Sequence, residues 1–210
     1  TYIATMINTR IISGRFSLVD YGYRAQVLSI VAIIVSVFSL GFANCPNYFI
    51  PLSNKEDKNA TEKIVRNLYL VTIVICAVMC VIVWFNFGII TNYFKNESLS
   101  QYKCIILIMA VEQIFYSFYS GIQVSQHRAI KATATNLIRA LFTIITTALV
   151  SYYFSSIFIV IVSTLILDCL FCTYSIVDSS RPTKRIGKWV DRKLIVDMTK
   201  YCIPLGISSI

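Results

Sequence analysis

Charged side chains are missing from long stretches of this chain, and that gap decides most of what it can fold into. Residues 25–43 and 68–90 carry none, 104–124 only Glu112, 132–150 only Arg139, and 157–177 only Asp168. About 20 apolar residues cross the hydrocarbon core of a bilayer as a helix, so each run is long enough to span. Charged residues make up 14% of the chain and mean hydropathy is +0.70. A soluble domain carries about 25% charged residues to cover its wet surface; this chain has too few. Barrel strands alternate apolar and polar at every second position, which the uninterrupted runs do not. The expected class is an all-α polytopic membrane bundle.

Residues 140–167 hold no charge and are too long for one upright span. The polar-aromatic group Ser151-Tyr152-Tyr153-Phe154-Ser155-Ser156 splits them, with tyrosine at interface depth; a single tilted helix is the rival. Residues 1–13 are apolar but too short to span, and 194–210 read as the opening of another helix. No secretory signal pattern is present. The expectation is a piece of a longer protein, cut in its first and seventh helices.

The net charge of +9 would suggest nucleic acid in a soluble chain. Here it sets orientation, because Lys and Arg gather in cytoplasmic loops. One side receives Lys55, Lys58, Lys63, Arg66, Arg128, Lys131, Arg181, Lys184, Arg185, Lys188, Arg192 and Lys193. The other receives Arg15, Arg24, Lys95 and Lys103. Twelve against four places the first group inside, and the count works only if 140–167 is split. No nucleic-acid partner is expected.

Enzyme signatures are missing. His127 is the single histidine, so Ser-His-Asp, Cys-His and HExxH sites have no support, and no phosphate-binding glycine loop occurs. Cys169 and Cys172 form a CxxC inside an apolar run with no second pair, which reads as packing and not as metal or redox chemistry. No cofactor or metal is expected. Sequons at Asn59 and Asn96 fall inside and outside respectively, so only the second is open to glycosylation.

The informative residues are ionic groups within spans, which cost roughly 2.5–3.5 kcal/mol each at mid-membrane and so tend to face a bundle interior. Glu112 and Asp168 have short stems and fit an interior role. Arg139 either faces inward or snorkels to the headgroups. Asp197 and Lys200 share a helix face and can pair. Asn8, Arg10, Asn44 and Pro46 add polar or irregular positions to the same bundle.

Three motifs carry a resemblance. Phe16-Ser17-Leu18-Val19-Asp20-Tyr21-Gly22 resembles the L-G-x-x-x-Y-G turn of polysaccharide-type flippases, in the multidrug/oligosaccharidyl-lipid/polysaccharide exporter superfamily. Leu40-Gly41-Phe42-Ala43 with Tyr48-Phe49-Ile50 resembles that family's second-helix exit. Asp191-Arg192-Lys193-Leu194 with Tyr201-Cys202-Ile203-Pro204-Leu205 is similar to its proline-kinked seventh-helix opening. Leu18, Val19 and Cys202 depart from the commoner residues.

The resemblance implies the first half of a 12- to 14-helix transporter, with 1–193 as the N-terminal lobe and 194–210 as the start of helix 7. It also implies that undecaprenyl-pyrophosphate-linked oligosaccharide is flipped across the bacterial inner membrane by alternating access. Arg10, Arg15, Arg24, Arg139 and Lys200 would then be cavity cations for the pyrophosphate. Glu112, Asp168 and Asp197 would be coupling (H⁺ or Na⁺) or interhelical residues, and Pro204 a hinge. The alternatives are a multidrug cation antiporter and a multi-pass glycosyltransferase or polymerase.

Overall fold

The computed structural model describes residues 2–39, 41–53, 58–180 and 192–208. Among the described residues every regular element is helical: α1 Tyr2–Arg15, α2 Leu18–Ser39, α3 Cys45–Ser53, α4 Lys58–Tyr93, α5 Lys103–Ser125, α6 Ala129–Tyr153, α7 Ile157–Ser180 and α8 Arg192–Ser208. Short 3₁₀ turns, Phe42–Asn44 and Glu97–Tyr102, lie before α3 and α5. Five segments are long and apolar enough to cross a membrane: Leu18–Ser39, Thr61–Tyr93, Glu97–Ser125, Ala129–Tyr153 and Ile157–Asp178. The chain is an all-α, multi-pass membrane protein.

The uncharged interval 140–167 is two helices. Phe154 turns to extended backbone, its N–H closing on the Val150 carbonyl at 2.9 Å, and helix resumes at Ile157. Elsewhere the helices run past the apolar stretches. The interval between the charge-free runs 25–43 and 68–90 is largely helical, because α3 reaches Ser53 and α4 starts at Lys58. At 1.5 Å per residue α4 is about 54 Å long, well beyond a hydrocarbon core of about 30 Å. Arg24 lies within α2, not in a loop. The basic cluster Arg181, Lys184, Arg185 and Lys188 and the side chains of Lys55, Asn59, Arg192 and Lys193 lie outside the described residues.

Gly41 ends the second span because only glycine adopts φ 72° without strain; its carbonyl then accepts from Asn44 at 3.0 Å, turning the chain into α3. α5 is the central post. Over half of its span, 56%, is buried, against 11–28% for the other four, and it packs on α2, α3, α4, α6 and α7. α1 lies along α6, and α8 packs on α3, α4 and the Phe42–Asn44 turn. Tyr201 of α8 stacks on Tyr48 at 4.3 Å and meets Phe49 edge-on, and Cys45 and Cys202 are both fully buried.

The two ends of the bundle differ in chemistry. Where α1, α4 and α6 finish and α2, α5 and α7 begin, aromatic rings collect. Arg15 lies over the Tyr152 ring at 5.0 Å, Lys103 over Trp84 at 3.9 Å, and Tyr102 against Phe158 at 5.7 Å. Aromatic belts of this kind mark a membrane–water interface. At the same end Asn96 Nδ2 donates to Gln26 Oε1 at 2.7 Å, so the sequon's acceptor nitrogen is engaged within the bundle.

Candidate functional site

An apolar span gains little from carrying a charge at mid-depth unless other spans complete its bonding. Arg139 is ten residues into α6, about 15 Å from its start, and Asp168 is eleven into α7, about 16 Å. Glu112 is midway along α5. The fold brings these three together. Arg139 Nε donates to Asp168 Oδ1 at 2.8 Å. Its Nη2 lies 3.0 Å from Glu112 Oε1 and 3.1 Å from Oε2, and donates to Oε2, so Oε1 keeps the ionic contact without a hydrogen bond among the described residues. Tyr116, one helical turn beyond Glu112, lays its ring under the guanidinium at 4.2 Å.

Arg139 therefore does not snorkel. Its guanidinium points sideways into the bundle and is engaged by two carboxylates. Of the two placements expected for Arg139, the inward one is found; two carboxylates against one guanidinium present surplus negative charge when ionised.

Beside this triad opens a chamber of about 340 Å³, walled by α1, α5, α6 and α7. Thr5 and Asn8 come from α1, Gln113 from α5, Asn136 and Thr143 from α6, and Arg139 and Asp168 form its charged floor. Asn8 is 7% exposed, and its Oδ1 is buried with no hydrogen-bond partner among the described residues. A second chamber, of about 230 Å³, opens between α1 and α2 and holds Arg24 with Tyr21 and Thr9. Thr5 and Asn8 line both, so one turn of α1 is the shared partition. No carboxylate pairs with Arg24 among the described residues.

The remaining expected residues lie apart. Arg10 is exposed on α1, beside an open hollow with Thr5 and Met6. Arg15 is exposed at the aromatic end, over Tyr152. Asp197 and Lys200 are both exposed on α8, and no ion pair joins them among the described residues. Pro204 sits inside α8, exposed. Gln113 and Asn136 escaped the sequence reading because an uncharged amide inside an apolar run carries no signal as strong as a charge.

A second polar cluster joins the same three helices about 12–15 Å away. Lys131 Nζ is 2.7 Å from both oxygens of Asp178, and Tyr119 Oη and Gln123 Nε2 donate to Oδ2 at 3.3 and 3.2 Å. Its four side chains line neither of the two polar chambers, and Asp178 has both oxygens filled. The turn before Lys131 is tight: His127 takes φ 59°, and Arg128 N–H closes on the Gln123 carbonyl at 2.9 Å.

Nothing in this geometry assembles a metal site; no group of three His, Cys, Asp or Glu side chains converges as metal ligands among the described residues. What it offers is two polar chambers in an apolar bundle, one beside Arg24, about 9 Å from the start of α2, and one lined by amides at mid-depth. Neither the curated proteins nor the solved structures contain a match to the chain. The family described as polysaccharide biosynthesis protein matches it over residues 1–210. With the whole length covered, the chain belongs to the polysaccharide biosynthesis protein family.

Proposed function

We propose that this chain is the substrate-lining part of a transporter that flips lipid-linked oligosaccharide, carried on undecaprenyl pyrophosphate, across the bacterial inner membrane for surface polysaccharide or O-antigen assembly. The observation that carries the reading is Arg24: a guanidinium held without a carboxylate partner in a polar chamber between two helices of an apolar bundle. Its fork of donors suits a phosphate group. The chain acts as a carrier and not as an enzyme; it moves the substrate without making or breaking a bond in it. Glu112 and Asp168 supply the acidic surplus on which a coupling H⁺ or Na⁺ would act, and α8, with Pro204, Asp197 and Lys200, opens the second lobe.

The twelve basic residues face the cytoplasm and the aromatic end faces outward in this reading. Reporter fusions at positions 59 and 96 are expected to report opposite sides. Complementation of a flippase-null strain with the full-length gene tests the transport role. Arg24→Ala is expected to abolish rescue at wild-type protein abundance, and full rescue sinks the cationic chamber.

The triad's surplus acid is the one observation that favours a cation antiporter instead. A drug-accumulation assay separates the two, since an antiporter lowers cellular cationic dye and leaves the surface glycan of the null strain unrestored.

A further inference from the structure

The seam between α6 and α7 opens sideways into a hollow of about 340 Å³, to which α1 contributes no lining residue. Two stripes build it. From the N-cap of α6 onward, Arg128, Lys131, Thr135, Ile138 and Phe142 recur at intervals of three and four, which is one face of a helix. On α7, Leu167, Phe171, Tyr174 and Asp178 do the same. The helices run antiparallel, and both stripes turn from apolar to charged at the same end, where Lys131 meets Asp178 at 2.7 Å. The hollow therefore lies between the depth of that pair and that of the triad, and the Phe142 and Phe171 rings close the seam 6.1 Å apart. Only Thr135 and Tyr174 among the lining side chains carry a polar atom, and Thr135 Oγ1 already donates to the Lys131 carbonyl at 2.9 Å. Leu170 is 64% exposed at the opening. An apolar chain suits such a wall, and a polar solute does not.

The charged end decides what the chain is attached to. Asp178 has its oxygens filled, so an organic cation finds no vacant carboxylate there and is repelled by Arg128. Arg128 is exposed, and no carboxylate pairs with it among the described residues. From Arg128 to Phe142 the stripe is about 21 Å long, which matches one headgroup layer plus half of a hydrocarbon core of about 30 Å. We propose that the α6–α7 seam binds one anionic phospholipid from the leaflet on that side, with an acyl chain in the hollow and the phosphate on Arg128. A zwitterionic headgroup brings its own ammonium to the guanidinium and is disfavoured, whereas basic residues at a membrane surface attract anionic lipid. A protein helix laid in the seam would have to cover Arg128 and supply an acid to it; a lipid leaves the guanidinium at the edge of the water. The site is separate from the Arg24 chamber, so it is tested independently of the transport reading.

The test uses the full-length protein in nanodiscs of phosphatidylethanolamine and phosphatidylglycerol. Each lipid is supplied in turn with a diazirine on one acyl chain, and the photo-adducts are mapped by mass spectrometry. Wild type is expected to carry phosphatidylglycerol adducts on residues 135–142 and 167–174, about fivefold above those from phosphatidylethanolamine, the preference that one basic residue confers at an anionic surface. Arg128→Gln is expected to bring the two probes level. Leu170→Trp, which fills the hollow, is expected to remove the adducts of both. Leu137→Trp, exposed on α6 outside the hollow, is expected to leave them unchanged, with monodisperse elution confirming folded protein in every variant. Equal labelling of wild type by the two probes overturns the proposal, as does a preference that Arg128→Gln does not move. Wild type without adducts on these residues also overturns it, and means that another part of the chain or a second copy covers the seam.

Discussion

Two polar clusters join α5, α6 and α7, and they are built on opposite principles. At the clamp one carboxylate, Asp178, meets one ammonium, Lys131, and both its oxygens are filled with help from Tyr119 and Gln123. The Gln123 carbonyl is the one side-chain atom of the clamp left buried without a partner among the described residues. At the triad two carboxylates share one guanidinium, Glu112 Oε1 lacks a hydrogen bond, and a polar chamber adjoins. Exposure sharpens the contrast: the Lys131 side chain is 38% exposed, whereas Arg139 is 19% and Glu112 6%. Each cluster keeps one buried oxygen without a partner among the described residues, but the triad's charges do not balance and two of its members line a polar chamber.

The difference can be broken most forcefully at Arg139. Arg139→Leu leaves two buried carboxylates uncompensated, and removing one partner from a buried ionic group costs about 3–5 kcal/mol. Thermal unfolding of detergent-solubilised protein, followed by size exclusion, is expected to show a large loss of folded protein. Adding Glu112→Gln and Asp168→Asn to Arg139→Leu removes the whole charged group, which is often near neutral for stability. The triple variant is therefore expected to regain most of the lost stability while failing to complement. Restored complementation would make the triad as purely structural as the clamp.

Lys131→Met should cost less, about 1–2 kcal/mol, because the ammonium is partly in water and Tyr119 and Gln123 still donate to the Asp178 carboxylate it leaves behind. Pairing it with Asp178→Asn is expected to return stability close to wild type, with complementation intact in both. Loss of transport in the double variant would erase the functional distinction between the clusters. The smallest effect sits in the turn leading to Lys131: His127→Gly relieves a side chain held at φ 59° and is expected to stabilise by about 0.5 kcal/mol, read as a small rise in Tm.

The spans were legible because charge-free runs of the right length have few other uses. Phe154–Ser156 was legible as a break because polar and aromatic residues crowd an otherwise empty interval. α3 was not, since Pro46 and Pro51 look like loop residues although both fit a short helix at a span exit. The triad was half legible. Glu112, Arg139 and Asp168 stood out as charges in lipid-length runs, but three helices differ in azimuth, and spacing along one chain says nothing about which faces meet. Asp178 and Lys131 fell at the edges of the runs and read as loop charges for the same reason. Asn8 stood out only as a polar position in the first helix, and Gln113 and Asn136 were the least visible, since an amide takes its meaning from the wall opposite.

Stitching the same three helices at two depths has a mechanical consequence. One bridge between neighbouring rods leaves them free to splay about it as about a single pin. Two bridges some 12–15 Å apart remove that freedom, so α5, α6 and α7 tilt together or not at all. The fourth wall of the chamber, α1, gives no side chain to the ion pairs of either cluster among the described residues, so it stands outside the frame that the two bridges brace.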